Sequence, residues 1–442
     1  MRAPSRPTPK SSANVTRFPE TLFTGYLRPL SRLSTIPTLQ LLLMSPASPT
    51  QAPPISFEDT RVAFASKSDA QLRKVYALFA AMNNGTLVKT GSGLMKAALK
   101  WSLPGTKFLI KHSIFEQFCG GETIAECRPV TNELGKYNIG TILDYSVEGE
   151  GSDRSYDHTR DEILATIDEA HRSKHIPFSV FKVTGVANVA ILEKIQAGKA
   201  LTPTEEAAHA RAVARVEALC ARAHQHGVRL FVDAEESWFQ HTIDLLAYDM
   251  MAKYNRETAI VWNTYQLYRH DRLDALKAAH DAATEAGYYI GAKLVRGAYM
   301  EKEARVAKQR GQENPINPTK NATDALYDES LHYCIDHIDR ISLCAGTHNE
   351  ASSLLLTQLM QQAGLASGDP RVWFAQLYGM SDNLTYNLAN GGYNTAKYLP
   401  YGPVAAVMPY LLRRADENTA IAGQSSREFL LIQKEIRRRQ KR

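Results

Sequence analysis

The sequence predicts an α/β protein: a (β/α)8 barrel of the TIM type with extra N-terminal helices. Three observations lead there. Eight short apolar runs rich in β-branched and aromatic residues alternate with longer segments of helical period. The runs are continuously apolar, as parallel strands buried on both faces require. Nearly every run ends in polar or titratable groups: Asp144, Lys182, Asp233 and Glu235, Asn263 and Gln266, Lys293 and Arg296, His348, Gln376. A barrel builds its site from the C-terminal ends of many strands, whereas an open doubly wound sheet gathers its ligand at one switch point. Polar termini all round favour closure.

In chain order, residues 1–60 read as an N-terminal extension, disordered or mis-assigned to the protein, and closed by a Pro/Ser linker. Residues 1–44 are rich in Arg, Ser and Thr and hold one acid, as a presequence would. Prolines at positions 4, 7, 9, 19, 29 and 37 would break a targeting helix repeatedly, so a translation start at Met44 is the preferred expectation. Residues 61–113 form a helical arm. Its first stretch, "SDAQLRKVYALFAAMNNG", opens on Ser68 as N-cap and closes at Gly85, and "LMKAALKWSL" follows. Residues 114–430 carry the barrel, with strands expected in "IFEQFCGG", "GTILDYSVEGE", "PFSVFKVTGV", "VRLFVDAEES", "AIVWNTYQLY", "YYIGAKLVRGAY", "ISLCAGTHNE" and "VWFAQLYGM". Crossover helices are expected at 205–227, 271–287 and 322–338. Residues 431–442 are a basic C-terminal tail.

The composition, 44% hydrophobic and 22% charged over 442 residues, is that of globular material. The longest apolar run, Leu39–Met44, falls far short of the roughly 20 residues of a membrane span. Five cysteines without a CxxC pair signal neither a disulfide framework nor a zinc site, and a reducing compartment fits best. The net charge of +6 belongs to the ends: residues 1–44 and 434–442 each carry +5, which leaves −4 for the body. A basic tail can attract nucleic acid or an anionic lipid surface, or be a solvated helix end. No P-loop, HExxH or GxSxG occurs, and "GSGLMK" at 91 lies between helical stretches rather than after a strand. No metal site is expected. His348, Asp233 and Glu235 could meet at a barrel mouth, but histidines near carboxylates more often serve structure or contact a cofactor.

The stretch "YLPYGPVAAVMPYLLRRADEN" sets two adjacent guanidinium groups, Arg413 and Arg414, at the end of an apolar segment. Glu417 stands at i+4 and i+3 from them, placed to orient a guanidinium. The preceding residues are too apolar for a solvated helix face. Paired arginines beside buried apolar groups suit a small carboxylate, which a planar fork grips by two oxygens.

Together with "GAKLVRGAYMEKE", "LDYSVEGE", "FVDAEES", "GTHNE" and "FAQLYGM", that stretch resembles proline dehydrogenase, the flavin-dependent family that oxidises L-proline to Δ1-pyrroline-5-carboxylate. The resemblance spans about residues 105–435, in order. It implies a distorted (β/α)8 barrel with FAD at the strand C-termini. It implies that Arg413 and Arg414 pair with the proline carboxylate, that Lys111 meets the same carboxylate, that Tyr398 packs against the substrate ring and that Asp144 stands near the substrate. Lys293 takes the place of a basic residue beside the flavin, with Val295, Gly297 and Tyr299 lining the cofactor. Asn263, Thr319, Lys320, Thr323, Thr347, His348 and Asn349 match further FAD contacts, and Glu417 is counted with them.

Proline has no leaving group, so its oxidation needs a hydride acceptor that side chains cannot supply. The resemblance implies hydride transfer from C5 of proline to N5 of FAD, as the first step of proline catabolism to glutamate. It further implies electrons passed to a membrane quinone, and a separate pyrroline-5-carboxylate dehydrogenase acting next. A single-function form is expected, cytoplasmic with peripheral contact at the inner face of the membrane through the basic tail, or alternatively mitochondrial. No nucleic acid partner is expected, the first 60 residues being too proline-rich for a DNA-binding fold. Two rival readings are a flavin barrel of other specificity, such as methylenetetrahydrofolate reductase, and a barrel that binds without catalysing. The combination of Tyr398 with two arginines speaks against the first.

Overall fold

The computed structural model describes residues 55–82, 90, 91, 93, 101, 105–147, 151–420 and 422–441, and the side chains of these except 415–420 and 422–426. The described residues all belong to one compact unit, Ala52–Arg442. The expected extension and linker up to residue 54, the alternative start at Met44, the helix stop at Gly85, "GSGLMK" and most of "LMKAALKWSL" lie outside the described residues.

Eight parallel strands close into a barrel in sequence order: β1 (Ile139–Tyr145), β2 (Phe178–Lys182), β3 (Arg229–Asp233), β4 (Val261–Gln266), β5 (Ile290–Val295), β6 (Ile341–Gly346), β7 (Val372–Leu377) and β8 (Thr395–Tyr401). Closure is made by β8 on β1, in register from Ile139 opposite Thr395 to Tyr145 opposite Tyr401. The period of two along each strand divides side chains between the interior and the helix layer. Ile142, Phe178, Val180, Phe231, Trp262, Cys344, Ala375, Ala396 and Tyr398 fill the interior. Phe178 and Phe231 stack at 4.3 Å, with the Trp262 indole edge-on to both. Gly291 makes room for that indole: a Cβ there would lie 2.4 Å from Trp262.

The crossover helices form where the sequence signals them. Helix Pro203–His226 starts with a Thr202/Glu205 capping box and Pro203 in its first turn, and stops at Gly227 with φ 64°. Arg272–Ala286 and Lys320–Asp336 lie close to their expected bounds. In the arm, helix Asp69–Met82 begins on Ser68, whose hydroxyl accepts from the Gln71 amide while the Gln71 side chain accepts from the Ser68 amide.

The number of strands is as expected, but one member differs. "IFEQFCGG" is helical, a π turn Lys111–Phe115 running into helix Glu116–Phe118. Its Ile114, Phe115 and Phe118 are apolar because they pack with Met380, Val404, Met408 and Leu411 outside the barrel. The eighth place belongs to β8, which Lys397 and Pro400 disguise as a non-strand. Pro400 falls beyond Tyr398, the last residue of β8 opposite β7, so its missing N–H opens no ladder bond there.

The expected basic tail is a helix end, that of Ala422–Gln440, and part of it is tied down. Glu435, fully buried, accepts from both Arg438 and Arg439. Arg439 also donates to the carbonyls of Phe64 and Lys67 and to Asp69, fastening the helix to the arm.

Candidate active site

The inward residues at the C-terminal ends of the strands form one charged ring. Lys182 ends β2 and Asp233 β3, while Asp144 and Lys293 lie near the ends of β1 and β5, each sharing a face with an interior residue. Lys182 Nζ lies 3.1 Å from Asp233 and 3.8 Å from Asp144. Lys293 donates to Asp233 and, at 2.5 Å, to the Tyr398 hydroxyl, and its ammonium rests over the rings of Tyr398 and Phe231 at 4.7 and 4.9 Å. Burial alone would raise Asp233, but Lys293 and Lys182 outweigh it and hold the carboxyl down at about 2. Burial opposes the charge on Lys182, yet Asp144 and then Asp233 keep its ammonium above the usual lysine range. Burial and the neighbouring Asp233 push Tyr398 well above the usual phenol value, so it is a neutral donor. Beside the ring, burial lifts Glu235 to about 7 although its carboxylate accepts from the Thr184 hydroxyl and amide.

Past β5 the backbone is bared. Gly297 has φ 127°, and a Cβ there would lie 2.1 Å from the Tyr268 ring. Arg296 fans out from this turn to Asp324, to the Thr347 hydroxyl at 2.7 Å and to the Ser352 hydroxyl at 2.9 Å, with its guanidinium 4.3 Å from the Tyr327 ring. Those contacts gather the expected cofactor residues. Thr319 caps helix Lys320–Asp336, exposed Lys320 pairs with Asp324, and Thr323 is buried one turn on. Asn349 caps helix Glu350–Gln362 and donates its own amide to the Thr347 hydroxyl, and His348 Nδ1 lies 2.8 Å from the Ser381 hydroxyl. Burial, reinforced by Lys397, Arg414 and Arg296, pulls His348 down to about 3 and keeps it neutral.

Helix Met408–Ala420 carries the paired arginines after β8. Its Leu411 and Leu412 pack into the cluster of Met380 and Val404. Arg413 is exposed and its charge reaches Tyr299, whereas Arg414 is buried with its guanidinium 5.2 Å from the Tyr410 ring.

Two expected site residues, Asn263 and Lys111, are turned away from the ring. Asn263 points the other way, into the helix layer, where its Nδ2 donates to Asp244 at 2.9 Å, because it alternates with the inward Trp262 and Thr264. Lys111 lies on the π turn of the arm and pairs with Glu122 and Glu126. The side chain of Glu417 lies outside the described residues. Conversely, Lys182, Asp233, Gln266 and Arg296 stand at the mouth, although the sequence marked Lys182, Gln266 and Arg296 only as strand ends and Asp233 besides only as a neighbour of His348 and Glu235. Counting by twos from the interior aromatics would have found the first three. Nothing in the sequence marks Tyr410 or Ser381.

No group of His, Cys, Asp and Glu able to hold a metal occurs among the described residues. An organic cofactor fits better. Gln266 Oε1 is buried at the end of β4 without a hydrogen-bond partner, an acceptor aimed at a ligand donor. Gly297 and Ala298, exposed just past β5, leave backbone open to a large planar group.

A closed parallel barrel with such a ring at its C-terminal mouth is a (β/α)8-barrel enzyme. Within that class the chain belongs to the proline dehydrogenase family: the family model for proline dehydrogenase matches residues 127–427. The carbapenem antibiotics biosynthesis protein CarD of Pectobacterium carotovorum subsp. carotovorum is 36% identical over 335 residues, covering 76% of this chain and 86% of that protein. The hydroxyproline dehydrogenase of Xenopus laevis is 30% identical over 423 residues, 87% of this chain and 90% of its own. Among solved structures, proline utilization A from Bdellovibrio bacteriovorus superposes with a TM-score of 0.63 at 19% identity. That match covers 82% of this chain and 38% of the larger protein, and it shows the fold.

Proposed function

We propose that the protein is an FAD-dependent proline dehydrogenase that oxidises L-proline to Δ1-pyrroline-5-carboxylate and passes the electrons to a membrane quinone. The observation that carries this reading is the ring of Asp144, Lys182, Asp233, Lys293 and Tyr398, set in the barrel mouth of a chain of this family. The flavin supplies the hydride acceptor that no side chain can. Arg296, Thr347, His348, Gln266 and the open backbone at Gly297 would hold it.

The chain's own residues position and polarise. Proline is bound by its carboxylate between Arg413 and Arg414, whose planar forks match two oxygens. Lys182, partly open to the mouth, supplies the third cation that sequence reasoning had sought in Lys111. Tyr398 presents its ring to the pyrrolidine while its hydroxyl is fixed by Lys293 and Asp233. Such fixing holds the reacting carbon in one orientation, which lowers the entropic part of the barrier. Lys293, held by Asp233 and the Tyr398 hydroxyl, would set a cation beside the acceptor, where it would stabilise developing negative charge.

Anaerobic addition of L-proline to the purified yellow protein should bleach the flavin band. A flavin that stays oxidised would overturn the substrate. Arg413→Met should raise the proline KM by about two orders of magnitude, the order expected for loss of a charge-assisted pair, with flavin retained. A flavin-loaded variant of unchanged KM would refute the arginine assignment.

No helix among the described residues is long and apolar enough to cross a membrane. Contact with a quinone-bearing membrane was expected through the basic tail. The ties of Arg438 and Arg439 leave Arg437 and Lys441 exposed there.

A further inference from the structure

From Ala70 to Phe115 the sequence holds no Asp or Glu and seven basic residues: Arg73, Lys74, Lys89, Lys96, Lys100, Lys107 and Lys111. The body of the chain is otherwise acidic overall, so this arm is a local reversal of charge. Three of the seven exposed large hydrophobic residues of the described chain also fall here: Trp101 at 72% exposure, Phe108 at 65% and Leu109 at 69%. Their exposure is not a failure of packing. Helix Thr106–Ile110 and the π turn after it bury Ile110, Ile114 and Phe115 against Val404 and Met408. Phe108 and Leu109 are what that burial leaves on the outside, beside Lys107.

The arm is also anchored on one particular side of the barrel. Gly120 donates to the Pro400 carbonyl at 2.9 Å, Glu122 accepts from the Val404 amide at 3.3 Å, and Gln117 donates to the Gly379 carbonyl at 2.9 Å. All three partners lie at or past the C-terminal ends of β7 and β8, the end at which the charged ring opens.

We propose that the face bearing Trp101, Lys107, Phe108 and Leu109 docks the protein on an anionic lipid surface, with the barrel mouth on the membrane side. The physical case is the conjunction of exposed aromatic and aliphatic side chains with lysines uncompensated by acid in sequence, the composition that inserts at a lipid interface while its cations meet headgroup phosphates. Lys74 and Lys111 contribute less, being held by Glu116 and by Glu122 and Glu126 respectively, which leaves Lys107 as the cation beside Phe108 and Leu109. The rival surface is the outer edge of the last helix, where exposed Leu430 sits with Lys434, Arg437 and Lys441, but Lys434 is paired with Glu58 and offers one apolar side chain against three. The proposal deepens the quinone reading by naming the surface through which the enzyme would reach its acceptor.

The test is co-sedimentation of the full chain with vesicles of phosphatidylcholine alone and with about a third phosphatidylglycerol, for the wild type, Phe108→Glu with Leu109→Glu, and Arg437→Glu with Lys441→Glu. Binding should require the anionic lipid, fall as salt is raised, drop at least ten-fold in the arm variant and stay within two-fold in the tail variant. Brominated lipid should quench the wild-type tryptophan signal, and Trp101→Phe should abolish most of that quenching. Flavin absorbance and turnover of proline with a water-soluble dye should be unchanged in the arm variant, which separates this surface from the catalytic reading: loss of dye turnover in the wild type would sink that reading and leave the vesicle result standing. Undiminished vesicle binding by the arm variant, or loss confined to the tail variant, overturns the proposal. So does a concentration-dependent dimer that the arm variant abolishes while neither protein binds vesicles, since a second copy would then cover the patch.

Discussion

The Lys293 ammonium on β5 and the Tyr398 hydroxyl on β8 meet at 2.5 Å across the barrel mouth, and both reach the same carboxylate oxygen of Asp233 on β3. Three strands are thereby locked at the point where substrate chemistry is proposed. Tyr398→Phe removes one arm of this lock and leaves Lys293 paired with Asp233. The cost to stability should be about 1 kcal/mol, that of one hydrogen bond. The ring still faces the substrate but loses its fixed orientation, so kcat/KM for proline should fall about ten-fold, equivalent to about 1.4 kcal/mol. Steady-state kinetics at constant flavin content measure it, and an unchanged kcat/KM would deny the hydroxyl any positioning role.

The same carboxylate predicts an acid limb of stability. Asp233 ionises near 2 in the folded chain against an ordinary 3.8, because Lys293 and Lys182 outweigh its burial. A depressed carboxyl stabilises fully above its unfolded value, and that contribution disappears as pH falls from about 3.8 to about 2. The term is about 2 kcal/mol. Urea unfolding midpoints at pH 6 and pH 2.5 should differ more in the wild type than in Asp233→Asn. Equal differences would mean that the pair of lysines is satisfied in some other way.

Much of this was legible in the sequence, and the failures have physical causes. Continuous apolar runs and polar strand ends are direct consequences of a parallel sheet covered on both faces, so the eightfold alternation could be read. What misled was local composition: "IFEQFCGG" is as apolar as a strand because it buries one helical face, while β8 hides a lysine and a proline inside the sheet. Lys397 is legible only with Asp382, its partner at 3.0 Å, and Asp382 is 15 residues away in sequence. Asp233 and Lys182 were marked as strand ends, yet their importance lies in pairings across strands that no local pattern carries. Asn263 was placed beside the cofactor by resemblance, whereas strand parity turns its amide toward Asp244.

Glu428 predicts the opposite limb. Burial raises it to about 8, helped by Asp382 and opposed by Lys397, by the Ser381 amide that donates to it, and by Lys67. A carboxyl raised on folding favours the native state below its unfolded value of about 4.5 and loses that favour as pH climbs through about 8. It links the last helix to the loop where Ser381 stands at φ 51°. Melting temperature should therefore decline between pH 6 and pH 9, and Glu428→Gln should flatten that decline. A variant with the wild-type slope would assign the alkaline limb to other groups.

Asn263 and Gln266 separate structure from cofactor binding within one strand. Asn263 faces the helix layer and gives its amide to Asp244, which also accepts from Gln240 and pairs with buried Arg272. Asn263→Ala leaves that buried carboxylate short of a donor, so the fold should lose about 1–3 kcal/mol, while flavin bound per chain stays at the wild-type level. Gln266, three residues on, faces the mouth with an unpartnered buried acceptor. Gln266→Ala removes a group that the unliganded fold does not satisfy, so stability should change by less than about 1 kcal/mol. Its effect should appear in the flavin instead, as weaker retention on dialysis and a shifted absorption maximum. Urea unfolding and flavin content measured on the two variants side by side decide the matter, and an Asn263→Ala protein that folds normally but loses flavin would restore Asn263 to the cofactor site.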